Sequence, residues 1–155
     1  MDILKLQNEK LRTYIDSHKL RNTLERYEVL ASAYMLDKKG PFTASDLYHN
    51  HNKKHSRITK GSIYNVLDLL EEADIVVKIP AESSFCVLYI MAYHTEDQFI
   101  AICNKCGKVS FYPREKSQTF THKTLLGRFK VCRPVLYTFG RCATCSRKQK
   151  KTNLK

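Results

Sequence analysis

The chain has 155 residues, enough for one ordinary domain or two small ones. Its hydrophobic content of 43% argues against wholesale disorder, and no apolar run reaches the ~18–20 residues of a membrane span. The net charge of +12 and a pI of about 9.5 favour a polyanionic partner, nucleic acid above all.

The start, Met1 to Gln7, lacks the basic onset, apolar block and cleavage site of a signal peptide, so a cytoplasmic location is expected. Leu4, Leu11 and Ile15 recur at helical spacing. A second helix is predicted over Thr23 to Asp37, with Tyr27, Leu30, Ala31 and Tyr34 on one face. Gly40-Pro41 breaks the chain. Thr43 with Asp46 three residues later marks another helix start. A basic stretch from His51 to Arg57 follows.

The next helix is predicted from a Thr59 cap. Ile63, Val66, Leu67 and Leu70 share its inward face, and Gly61, Tyr64, Asn65 and Asp68 point outward. An outward Tyr-Asn pair suits base-edge reading, since Asn pairs with adenine and a ring touches a thymine methyl. Gly61 costs about 1 kcal/mol in a helix, which close approach to a DNA backbone explains. Ile75 to Ile79 and Phe85 to Ile90 read as strands joined through Pro80 to Ser84. Helices followed by a hairpin form a winged helix-turn-helix. The other reading is a small helical domain whose surface helix binds protein.

Beyond it, Phe99 to Ile102 and Val109 to Tyr112 read as strands, Lys116 to Leu126 as a helix, and Phe129 to Cys132 and Val135 to Phe139 as strands. Two C-x-x-C pairs, Cys103/Cys106 and Cys142/Cys145, bracket this unit. Together they supply the four thiolates zinc takes in structural sites, one ion per chain. Such a site has no open position, so catalysis is not expected. A redox C-x-x-C opens a helix, and no helical pattern follows either pair. His94-Thr95-Glu96 ahead of Cys103 imitates the H-x-E…P-C-x-x-C of zinc deaminases, but Ile102 replaces the proline. The basic end, residues 147–155, reads as a disordered tail.

The order of these pieces carries a resemblance. Leu20-Arg21-Asn22-Thr23 with Arg26 and Val29-Leu30 opens it. Ala44-Ser45-Asp46-Leu47-Tyr48 and Ser62-Ile63-Tyr64-Asn65-Val66-Leu67 with Glu71-Glu72-Ala73 follow. Cys103-Asn104-Lys105-Cys106-Gly107-Lys108-Val109 and Tyr137-Thr138-Phe139-Gly140-Arg141-Cys142-Ala143-Thr144-Cys145 complete it. From about residue 18 to 146 the chain resembles the ferric uptake regulator family.

The resemblance implies an α+β protein: a winged helix-turn-helix over 1–92 and a zinc-braced α/β dimerisation domain over 93–146. It also implies a homodimeric transcriptional regulator, a repressor, on AT-rich palindromic double-stranded DNA. Tyr64 takes the place of the recognition tyrosine, and Arg57 stands where a basic or polar residue approaches the groove. Asn65 replaces the usual arginine, so the family's base preference is not carried over there. Ser62 joins Tyr64 and Asn65 as a candidate DNA contact. Lys19, Arg21, Lys53, Lys54, Arg57 and Lys60 are expected on phosphates, which position without specifying.

The family's regulatory metal uses histidines that are absent here. Pro41, Ile100, Gln98, Asp97, Glu96 and Pro134 hold those places. A rebuilt site would draw on His94, Glu96, Asp97, Glu115 and His122 and suit Mn²⁺, or Fe²⁺ with a histidine; the other reading is a solvated acidic turn. Cys86 and Cys132 are candidates for haem or redox sensing, or else small buried hydrophobes. Sensing is therefore expected to be altered or lost. The alternatives are a haem- or redox-responsive regulator, or a zinc-braced interaction module with only non-specific DNA affinity.

Overall fold

The computed structural model describes residues 2–80, 87–96, 98–113 and 135–152. The chain forms two compact units, Met1–Ala92 and Tyr93–Lys155.

The first unit opens with α1 (Ile3–Ser17) and α2 (Leu24–Asp37). α1 buries Gln7, Leu11 and Ile15. α2 buries Val29, Leu30, Ser32, Ala33 and Asp37, so its inward face is rotated from the Tyr27, Leu30, Ala31 and Tyr34 stripe expected from sequence. Val29, Leu30 and Ala33 make that face apolar, and at its end the buried Asp37 carboxylate accepts the Met91 backbone N–H at 2.9 Å, tying it to β3.

A two-residue strand, β1 (Phe42–Thr43), leads into α3 (Ala44–Lys54). Asp46 N–H donates to Thr43 Oγ1 at 3.1 Å, and Thr43 N–H donates to Asp46 Oδ2 at 2.9 Å. This capping box is the helix start expected from sequence. It holds the Asp46 carboxyl below its ordinary range, through the Thr43 hydroxyl first and its backbone N–H second. α4 (Lys60–Glu72) starts where Thr59 Oγ1 accepts the Ser62 N–H at 3.1 Å. Ile63, Val66, Leu67, Leu69 and Leu70 are its buried residues, and Leu11, Ile15, Leu30, Leu47, Ile75, Ile90 and Met91 are also fully buried in this unit.

α1 and α4 end alike. Leu20 N–H reaches back to Ile15 O and Lys19 N–H to Asp16 O; Ile75 N–H reaches Leu70 O and Asp74 N–H reaches Glu71 O. Both turns put a non-glycine residue in the left-handed region, Lys19 at φ 53 and Asp74 at φ 60. Lys10 Nζ donates to the Asp74 carbonyl at 2.7 Å, and Tyr14 Oη donates to Glu72 Oε2 at 2.8 Å, pinning α1 to the end of α4. That bond, with Glu72 accepting, raises the Tyr14 pKa.

The wing is β2 (Val76–Ile79) antiparallel to β3 (Leu88–Met91), in the register Val76↔Met91 to Ile79↔Leu88. β1 pairs on the other side of β3, giving the order β1-β3-β2. The expected strand pair is present; β2 starts one residue later than predicted, β3 runs one residue further, to Met91, and residues 81–86 lie outside those described. β1 was not expected, because two residues carry no periodicity.

In the second unit a 3₁₀ turn (Ala92–Thr95) ends in the chain leading to β4 (Gln98–Cys103). β5 (Val109–Pro113) pairs antiparallel and β6 (Tyr137–Gly140) parallel to β4, in the order β5-β4-β6. The predicted helix Lys116 to Leu126 and strand Phe129 to Cys132 lie outside the described residues. α5 (Ala143–Thr152) overturns two expectations. The region from 147, expected as a disordered tail, is helical through Thr152; its Lys, Arg and Gln are good helix formers with no glycine or proline to stop them. A helix does open at the second C-x-x-C, contrary to expectation, so Cys142/Cys145 has the helical setting of a redox pair. No described helix is long and apolar enough to cross a membrane.

Candidate metal centre and recognition helix

The first knuckle follows β4. Cys103 N–H donates to Lys108 O at 2.9 Å and Gly107 N–H to Cys103 O at 2.8 Å, closing a tight turn. Gly107 sits at φ 70, a backbone that glycine adopts without strain. The second knuckle joins β6 to α5, and Asn104 N–H bonds Gly140 O at 2.8 Å across the gap. The parallel register pairs Cys103 with Gly140, so both knuckles emerge at the same end of neighbouring strands.

Cys103, Cys106, Cys142 and Cys145 thereby present sulfurs all within 4.8 Å of one another, and among the described residues they form the one group that could hold a metal ion. A tetrahedron with sulfurs about 2.3 Å from a central zinc has edges of about 3.8 Å. Cys106 Sγ and Cys142 Sγ are 3.8 Å apart. Cys103 and Cys145 are buried and Cys106 is exposed. The Cys103 thiol is lowered to about 6 by the backbone N–H of Cys142, then by those of Cys106 and Lys105; Cys142 N–H lies 3.3 Å from its sulfur. The neighbouring Cys142 and Cys106 sulfurs push Cys145 up to about 12. Crowded thiols resist full ionisation, and a divalent cation among them reverses that balance. The fit is to a closed thiolate site. Four converging sulfurs distinguish this arrangement from a two-cysteine redox pair.

The other proposed ligands are not gathered in this way. His94 stacks on Phe111 with ring centroids 4.5 Å apart, and Glu96 is exposed. Neither joins a metal-binding group among the described residues. Asp97, Glu115, His122, Cys86 and Cys132 lie outside them.

On α4, Tyr64 is 52% exposed. Asn65 and Gly61 are also exposed and Ser62 is half-buried. A Cβ at Gly61 would meet nothing nearer than Thr59 Oγ1 at 3.6 Å, an ordinary contact, so the fold itself does not require glycine there. Lys60 Nζ lies 5.7 Å from the centre of the Tyr48 ring. Lys19, Arg21, Lys53, Lys54 and Arg57 are all exposed.

Two residues that sequence reasoning missed set this helix in place. Asn52 Oδ1 accepts Ile58 N–H at 2.9 Å and its Nδ2 donates to Ile58 O at 3.3 Å, clasping the turn that carries Arg57. Lys78 Nζ on the wing meets Glu71 Oε2 at 2.6 Å and Asp68 Oδ1 at 3.9 Å. An asparagine late in a helix, just before a turn, was the available signal for the first. The second depends on the strand register and had none.

The first unit is a winged helix-turn-helix, and the second is a small α/β unit whose thiolates are placed to be bridged by a metal. This chain belongs to the ferric uptake regulator family, whose model matches residues 17–126. It is 30% identical over 137 residues to the peroxide operon regulator of Bacillus subtilis (strain 168), covering 84% of this chain and 87% of that one. It is 27% identical over 128 residues to the zinc uptake regulation protein of Escherichia coli (strain K12), covering 81% and 73%. Among solved structures, the Helicobacter pylori ferric uptake regulator Fur aligns over 92% of this chain and 93% of its own, with a TM-score of 0.67 and 22% identity. A zinc uptake regulator complexed with zinc and DNA aligns over 97% and 99%, with a TM-score of 0.58 and 23% identity. At these identities the structures establish the fold.

Proposed function

We propose that this chain is a sequence-specific DNA-binding transcriptional regulator, a repressor acting as a homodimer on palindromic double-stranded DNA in the cytoplasm. It works by binding rather than catalysis. One observation carries the reading. α4 buries one face and leaves Tyr64 and Asn65 exposed on the other, with the exposed cations Arg57 and Lys60 just before them in the chain. Tyr64, Asn65 and Ser62 face the base edges; Lys19, Arg21, Lys53, Lys54, Arg57 and Lys60 hold phosphates. Family membership and the relatives named for regulation support it. The four cysteines hold one structural zinc, which braces the dimerisation unit. Regulatory-metal sensing differs from the family's, since Pro41, Ile100 and Pro134 offer no side-chain ligand where histidines are usual.

The test is selection of duplexes from a random-sequence library, followed by binding of variants. Tyr64→Ala and Asn65→Ala are expected to lose about 1–3 kcal/mol of discrimination between selected and random DNA. Lys53→Ala is expected to weaken all sequences alike and to flatten the salt dependence. Full discrimination in both α4 variants would exclude α4 as the reader. Binding that falls steeply with salt and ignores sequence would favour the interaction-module alternative.

A further inference from the structure

We propose that His51 is a proton-responsive element of the helix-turn-helix: its neutral ring completes the packing of α3, and protonation opens that packing and releases DNA. The DNA half of this statement rests on the function proposed above; the stability half does not.

The buried residues of α3 are Ala44, Leu47 and His51. They are spaced i, i+3 and i+7, so a histidine occupies the last place on a stripe that is otherwise apolar. The ring has no exposure. Neither Nδ1 nor Nε2 has a hydrogen-bond partner, and Ser32 Oγ on α2 is likewise buried without one. A buried neutral imidazole lacking partners is costly, and a buried imidazolium lacking them is far more so.

The Ser56 backbone acts on the His51 ring and favours its charged form without reversing the effect of burial, and among the described residues no group meets hydrogen-bond geometry with either ring nitrogen. His51 stacks on His55, with centroids 5.0 Å apart and planes at 27°. From α2, Glu28 Oε1 lies 3.6 Å from His55 Nδ1, and Glu25 is the other acidic group that acts on His51. Burial is the dominant influence on the His51 proton and lowers its pKa, and His55 adds to that; Glu28, the Ser56 backbone and Glu25 act the opposite way without reversing it. These side chains do not converge on one point as the four thiolates do, so the cluster is not an ion cage.

The route to DNA is short. His55 N–H donates to His51 O at 2.9 Å to close α3. The next residues are Ser56, Arg57, Ile58 and Thr59, which lead directly into α4. Expelling a charged ring from the buried stripe disturbs the last turn of α3, on which Arg57 and the start of the reading helix are built. The sign follows from linkage. The unfolded chain binds a proton at His51 more readily than the folded one, so stability is full above the ordinary histidine pKa of 6.5 and is lost as pH falls below it.

The experiment uses the zinc-loaded full chain and compares it with His51→Leu, which continues the Ala44 and Leu47 stripe; His51→Met is the second variant. Urea midpoints and affinity for a duplex selected at about pH 7.5 are measured there and at about pH 5.5. Zinc content is checked at both. The parent is expected to lose midpoint and to bind about tenfold or more weakly in acid, while both variants change by less than about threefold. Equal acid losses in parent and variants would overturn the proposal, as would a His51 ring that titrates at or above the ordinary value by nuclear magnetic resonance. If no duplex is selected, the proposed function fails, and the urea series still decides the role of His51.

Discussion

In Met1–Ala92, four helices and a three-stranded sheet close over Leu11, Ile15, Leu30, Leu47, Ile63, Leu67, Leu70, Ile75, Ile90 and Met91, all fully or nearly fully buried. In Tyr93–Lys155 the buried apolar residues among those described are Ile100, Ile102, Cys103 and Cys145, and two of these four are thiols of the cluster. The first unit is held by apolar surface removed from water, at about 25 cal/mol per Å². Among its described residues, the second buries little apolar surface and gathers four thiolates at one point. An apolar core and a metal site respond to different conditions.

The largest test of that contrast is removal of the metal. Cys103→Ser, Cys142→Ser or a strong chelator is expected to abolish zinc binding and unfold the second unit. Structural zinc contributes about 10–16 kcal/mol, comparable to or above the whole stability of a small domain. Hydrogen exchange resolved by segment is expected to show protection lost in β4, β5 and β6 and kept in α1 to α4. Protection retained in both units would break the comparison.

Leu67→Ala probes the other side. Its side chain is fully buried on α4, and the truncation is expected to cost about 2–5 kcal/mol. Denaturant unfolding should place that loss in the first unit, with zinc content unchanged. A smaller effect is expected at Asp46. Replacing it with alanine removes half of the Thr43 capping box, at about 1 kcal/mol. Its folded pKa lies below the ordinary 3.8, so its contribution is present above that value and lost as pH falls through the folded one. Asp46→Ala should therefore show a shallower loss of stability in acid than the parent.

Local chemistry made much of this legible. Thr43 and Asp46 marked a helix start, Thr59 marked the next, and Ile63, Val66, Leu67 and Leu70 gave its inner face, because caps and 3.6-residue spacing are properties of neighbours in sequence. The C-x-x-C pairs were legible as partners by ligand number, although their separation gave no geometry. The face of α2 was not legible because Tyr27, Ala31 and Tyr34 compete with Val29, Leu30 and Ala33 for the apolar side, and the tie from Asp37 to Met91 spans 54 residues. α5 was missed because most of its residues are polar, and Ala143 and Cys145 are too few to set a period. His51 was passed over inside a basic run, where nothing local shows that its side chain points inward.

The two knuckles leave the same end of β4 and β6, yet 35 residues separate Cys106 from Cys142. An ion there acts as a reversible cross-link across a long loop, removing chain entropy that grows slowly with loop length. Unlike a disulfide, such a link tightens with the concentration of free ligand. With zinc in the site, assembly of the second unit would therefore be linked to zinc concentration as well as to temperature and denaturant.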